Sequence, residues 1–142
     1  MTKKYQHILF ATDLNDKNLA PIENAQQIAK SFDAKFSLLH VIRTMATTYG
    51  YIGDYNLEKQ LVEQANNAMK KLGAQFDIDQ KDLHIVQGYP KEDIIRFSDE
   101  NDVDLIILNG HSHNFIGALG STANSVANRA TCDILILAEG KK

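Results

Sequence analysis

Five residues near the C-terminus of this 142-residue chain have the types and spacing of an anion cradle. They are Gly110, Gly117, Gly120, Ser121 and Thr122, within DLIILNGHSHNFIGALGSTANSVANRATCDILILA, residues Asp104 to Ala138. Glycines let backbone N–H groups come close to a phosphate. Ser and Thr hydroxyls add donors where a helix begins, and the helix dipole there favours negative charge. The same residues also have a mechanical use: glycine supplies the positive φ of a tight loop, and Ser121 caps the helix. Asp13 is a second candidate. A carboxylate closing an apolar run can accept hydrogen bonds from a ribose or adenine edge, or it can cap the loop that follows.

Other constellations carry less. His111 and His113 lie two apart, as zinc ligands can, but no neighbouring cysteine or carboxylate completes a tetrahedral set, so no metal is expected. His7 and His40 fall within strand patterns and read as satisfied core or sheet-edge residues. Ser121 has no evident base and sits outside any G-x-S-x-G elbow, so no catalytic residue is expected. The stretch GALGST lacks the lysine of a P-loop, and TDLND after the first apolar run is not G-x-G-x-x-G. A phosphorylation receiver would need an acidic residue ending the third strand, where Gln87 and Gly88 stand. The adenylyl-transfer motifs H-x-G-H and S-G-G-x-D-S are also missing. The chain reads as a non-enzyme.

These residues need a scaffold, and the apolar runs provide it. HILFAT (7–12), FSLLHVI (36–42), VDLIILN (103–109) and DILILA (133–138) are near-continuous, as strands buried on both faces of a parallel sheet are; LHIVQ (83–87) is weaker. Helical patterns fill the gaps. Pro21 opens one with Ile22, Ala25, Ala29 and Phe32 on its apolar face. Asn56 caps a second, carrying Leu57, Leu61, Ala65, Ala68, Met69 and Leu72, with Gly73 as its stop. Pro90 begins a third with Ile94, Ile95 and Phe97. Ser121 or Thr122 begins a fourth with Ala123, Val126, Ala127 and Ala130 inward. Alternation of this kind predicts an α/β fold: a doubly wound, five-stranded parallel sheet, order 3-2-1-4-5, with helices on both faces. Asp13 and Gly110 then flank the crevice where the strand order reverses. Arg43 to Tyr55 is long for a connection and reads as a flap over that crevice or a partner surface.

Length fits one domain spanning 1–142. Hydrophobic residues at 44% and charged residues at 23% are ordinary for a globular protein. A net charge of −3, from 15 basic and 18 acidic residues well mixed, argues against a nucleic-acid or membrane-surface partner. The lone Cys132, expected to be buried, fits a reducing compartment. MTKKYQHILF is too short in apolar residues for a secretory signal, and no run is long enough to span a bilayer. A cytoplasmic location is expected.

Several stretches together resemble the universal stress protein family. HILFATDLN at 7–15 is similar to that family's opening strand and terminal aspartate, AKFSLLHVI at 34–42 to its second strand, and DVDLIILNGHSHNFIGALGSTANSVANRATCDILIL to its closing strand, loop, helix and strand. The resemblance covers essentially the whole chain. It implies that Thr12, Asp13, Val41, Gly110, Gly120, Ser121 and Thr122 are the positions that would touch a nucleotide. ATP-binding members carry glycine, two residues, glycine, nine residues, then glycine and Ser or Thr. Here Gly110 and Gly120-Ser121 match, but His113 replaces the second glycine and only six residues separate it from Gly120. GHSHNF instead resembles the shorter loop of the bacterial A-type branch, which is not regarded as binding ATP. The resemblance therefore implies a stress-response protein without a tightly held cofactor, ATP or AMP being the alternative. It also implies a homodimer. An apolar last strand needs a cover, and antiparallel pairing of two copies through Ile134 to Ala138 would give one.

Overall fold

The computed structural model describes residues 4–14, 19–43, 55–110 and 121–138, without the side chains of Tyr55, Asn56 and Ser121. Strands and helices alternate in it: β1 (His7–Ala11), α1 (Ala20–Ser31), β2 (Lys35–Arg43), α2 (Tyr55–Phe76), β3 (Leu83–Gly88), α3 (Pro90–Glu100), β4 (Leu105–Asn109), α4 (Ser121–Arg129) and β5 (Asp133–Leu137). All strand pairs are parallel and the order is β3-β2-β1-β4-β5, as the sequence pattern predicts. Segment 44–54, most of the stretch read as a flap, lies outside the described residues.

Successive strand residues point to opposite faces, so a sheet covered on both sides uses every position. Ile8, Phe10, Leu38, Leu105 and Ile107 pack on α1 and α2 through Ile22, Ala25, Ala29, Met69 and Leu72. Leu9, Leu39, Val41, Ile106 and Leu108 turn the other way, onto Ile94 of α3 and onto Ala123 and Val126 of α4. This two-sided burial explains why the strands read as unbroken apolar runs.

The second helix departs from expectation at both ends. It starts at Tyr55, so Asn56 lies inside it, and it runs through Gly73 to Phe76. A Cβ at residue 73 would lie 2.5 Å from Leu83 Cδ1, so this glycine admits the start of β3 rather than stopping the helix. The chain reverses at Asp77 instead, with φ of 58°. Asp33 (φ 54°) follows α1 and Asp102 (φ 55°) follows α3 in the same way. Asp is among the few residues that accept this left-handed conformation. Leu57 and Leu61 do not face the core: they are 50% and 36% exposed. A 22-residue helix is roughly 33 Å long, against about 20 Å for a six-residue strand, so its first turns overhang the sheet.

Smaller differences follow from packing. Ala127 is exposed because the inward stripe of α4 runs through Ala123 and Val126. β1 ends at Ala11 and β4 begins at Leu105, each one or two residues inside the predicted bounds. Cys132 is half-buried, and that burial pushes its thiol pKa up. Among the described residues, no helix is long and apolar enough to cross a membrane.

Candidate functional site

β1 and β4 are adjacent and parallel, with Ala11 opposite Leu108. Past these residues, the chain leaves β1 towards β2 and leaves β4 towards β5. This is the switch point at which open α/β sheets offer a crevice. Thr12 and Asp13 follow β1 on this rim, Gly110 follows β4, and Val41 lies near the end of β2, opposite Val86. Ser121 and Thr122 open α4, which carries the chain back from this end to the start of β5. Thr12, Val41 and Gly110 are buried, Thr122 is half-buried and Asp13 is exposed. Gly117, Gly120, His111 and His113 lie outside the described residues, as does the Ser121 side chain.

The turn that presents Asp13 is held on both sides. The Thr12 N–H donates to the Leu39 carbonyl at 2.9 Å, and Thr12 Oγ1 accepts the Leu14 N–H at 2.9 Å. His40 Nδ1 stands 2.8 Å from the Thr12 carbonyl oxygen. Leu14 takes a φ of 62°, unusual for a branched side chain, and its side chain packs against the core under α1 and α2. Gly110 has a distinct constraint. Its N–H donates to the Leu137 carbonyl at 2.7 Å, and a Cβ there would lie 2.8 Å from that oxygen and 3.3 Å from Ile136 Cγ2. The glycine lets β4 and β5 close together.

Beside β2, at the end of β3, Gly88 meets the Asp93 carboxylate so closely that a Cβ would overlap it. Asp93 is buried. It accepts the Tyr89 N–H at 2.7 Å and the Arg96 guanidinium, so the first turn of α3 is neutralised by its own carboxylate. At the opposite end of the sheet, His7 is buried. Its Nδ1 lies 2.9 Å from the Asn101 carbonyl and its Nε2 2.8 Å from Ser37 Oγ. A carbonyl can only accept, so Nδ1 carries the hydrogen and Nε2 accepts the serine hydroxyl. Burial lowers the His7 pKa, only partly offset by the Asn101 hydrogen bond. Burial also lowers that of His84, whose ring lies 4.7 Å from Phe97. Lys35 Nζ stands 3.8 Å from Asp82 Oδ1, too far for a hydrogen bond. Among the described residues, no group of three His, Cys, Asp or Glu side chains is placed to hold a metal ion.

The sequence pattern brings Thr12, Asp13, Val41, Gly110 and the start of α4 to one rim. It does not disclose His40, Leu14 or Asp93. His40 touches Thr12 across 28 positions through the register of two strands, and no local spacing marks such a contact.

Residues 4–138 match the model of the universal stress protein family. The chain belongs to that family. Universal stress protein A homolog 1 of Coxiella burnetii is 31% identical over 138 residues, covering 92% of this chain and 94% of that protein. Among solved structures, a universal stress protein from Lactobacillus plantarum shares the fold with a TM-score of 0.72 at 26% identity, covering 96% of this chain and 99% of that one. A universal stress protein solved in complex with cAMP aligns with a TM-score of 0.60 at 25% identity, covering 94% and 96%. The five-stranded parallel sheet of this universal stress protein is the fold of these relatives.

Proposed function

We propose that this universal stress protein is a non-catalytic, cytoplasmic, single-domain stress-response protein that works as a homodimer and does not hold ATP tightly. The observation that carries the nucleotide part is Gly110. Its N–H is committed to the Leu137 carbonyl, and its missing Cβ is explained by the approach of β5. The glycine that heads the loop therefore serves the sheet, and one backbone donor is withdrawn from any phosphate. The sequence supports the same reading: the loop to Gly120 is shortened, and His113 stands where ATP-binding members have glycine. Each lost phosphate donor is worth about 1 kcal/mol. Isothermal titration of ATP into the purified protein should give no saturation in the micromolar range. Submicromolar binding would overturn the reading.

The dimer rests on β5. Leu137 turns its carbonyl towards β4, so alternation along the strand directs the backbone N–H and C=O groups of Ile134 and Ile136 towards the outer edge. Ile134, Leu135, Ile136 and Leu137 are only half-buried. Antiparallel pairing through Ile134 to Ala138 would satisfy that edge. Sedimentation at micromolar concentration should show a dimer, and a monomer would count against the pairing.

A second reading, an adenine-nucleotide switch or slow ATPase, is favoured by the rim of Thr12, Asp13, Val41 and Gly110 and by the relative solved with cAMP. AMP and cAMP titrations separate it from the first. Millimolar or tighter saturation supports a nucleotide role, and a featureless titration removes it.

A further inference from the structure

We propose that His40 is the positioning residue of the crevice: its Nδ1–H, fastened to the Thr12 carbonyl, fixes the turn that presents Asp13. The inference rests on the reading of the β1–β4 rim as a nucleotide contact, and it adds a residue that reading does not include. The β1–β2 ladder ends at the pair Ala11–Leu39, so Thr12 stands one residue beyond it. Consecutive residues of β2 nevertheless grip Thr12 on both sides. The Leu39 carbonyl takes its N–H at 2.9 Å, and the His40 ring holds its carbonyl at 2.8 Å. A carbonyl oxygen has no hydrogen to give, so the bond requires the hydrogen on Nδ1. The peptide bond joining Thr12 to Asp13 is planar, so fixing the Thr12 carbonyl also fixes the direction in which the chain enters Asp13.

The next link closes the turn. The Leu14 N–H returns to Thr12 Oγ1 at 2.9 Å while Leu14 adopts its left-handed φ of 62°. A branched residue in that region costs about 1–2 kcal/mol and persists only where its surroundings over-determine it. Beside the backbone bond and the local hydroxyl bond, His40 supplies a restraint that comes from a side chain of another strand. Without it the Thr12 carbonyl loses this partner, and the direction in which the chain enters Asp13 is fixed less tightly.

The test uses the full chain, a His40→Leu variant that removes the donor, and a His40→Asn variant whose amide N–H can occupy the place of Nδ1–H. Long-range nitrogen NMR spectra of the wild type should show neutral His40 as the Nδ1–H tautomer. Amide exchange at Leu14 should accelerate at least tenfold in His40→Leu and recover in His40→Asn, with Leu9 and Phe10 exchanging as before. AMP, titrated at millimolar concentrations, should bind His40→Leu about tenfold more weakly than wild type, and His40→Asn within about threefold of it. Failure of the wild type to bind AMP would sink the nucleotide reading, leaving the exchange and tautomer measurements to judge His40. An Nε2–H tautomer, or unchanged Leu14 exchange in His40→Leu, would overturn the positioning role. So would equal AMP affinity in His40→Leu and a binding wild type. If His40→Leu fails to fold, the tautomer and the behaviour of His40→Asn decide.

Discussion

Beside Gly110, the carbonyl of Leu137 and the branch of Ile136 fill the space a side chain would need. Gly110→Ala must therefore push backbone against backbone, and a cost of about 1–3 kcal/mol is expected, read as a lower urea midpoint with an unchanged slope. A stability equal to wild type would mean that the β4–β5 gap is looser than described. The same residue shows where sequence reading stops. Glycine at the end of an apolar run is visible, and two physical uses of it are equally available. Only the partner across the sheet, 27 positions away, selects one. Gly73 makes the point again: it reads as a helix stop, yet its role is to make room for Leu83.

At the scale of elements, strands were legible because burial on both faces leaves an unbroken apolar signature, and their order followed from strict alternation with helices. Helix ends were less so. The apolar stripe of α2 runs from Leu57 to Leu72, but only its later turns lie over the sheet, and periodicity carries no information about overhang. The two ends of this helix should respond differently. Met69→Ala, at 2% exposure, should lose about 2–5 kcal/mol, whereas Leu57→Lys should stay within about 0.5 kcal/mol of wild type. Urea unfolding of the two variants checks this, and a costly Leu57→Lys would show that the overhanging turns are covered in solution.

For the molecule as a whole, the two ends of the sheet carry different chemistry. One end presents Asp13 and the start of α4; the other encloses His7 between Asn101 and Ser37. His84, further along the sheet on β3, lies against Phe97. Burial lowers both histidine pKa values, so the folded state refuses a proton that the unfolded chain accepts near pH ~6.5. Stability should thus be full above pH ~6.5 and fall as pH drops through the window between that value and the lower folded pKa. The slope is at most about 1.4 kcal/mol per pH unit for each histidine, and less for the partly exposed His84. Urea midpoints from pH 7.5 to 5.5, with the His7 ring resonance followed by NMR, check this; a flat profile would contradict it. The left-handed aspartates that follow the helices have a further consequence. Asp77 and Asp102 are exposed and place negative charge at the electronegative ends of α2 and α3. Asparagine accepts the same backbone without that repulsion, so Asp77→Asn and Asp102→Asn should each add about 0.3–1 kcal/mol. The protein carries unused thermal headroom at these two corners, and a calorimetric melting temperature above wild type in the double variant would reveal it.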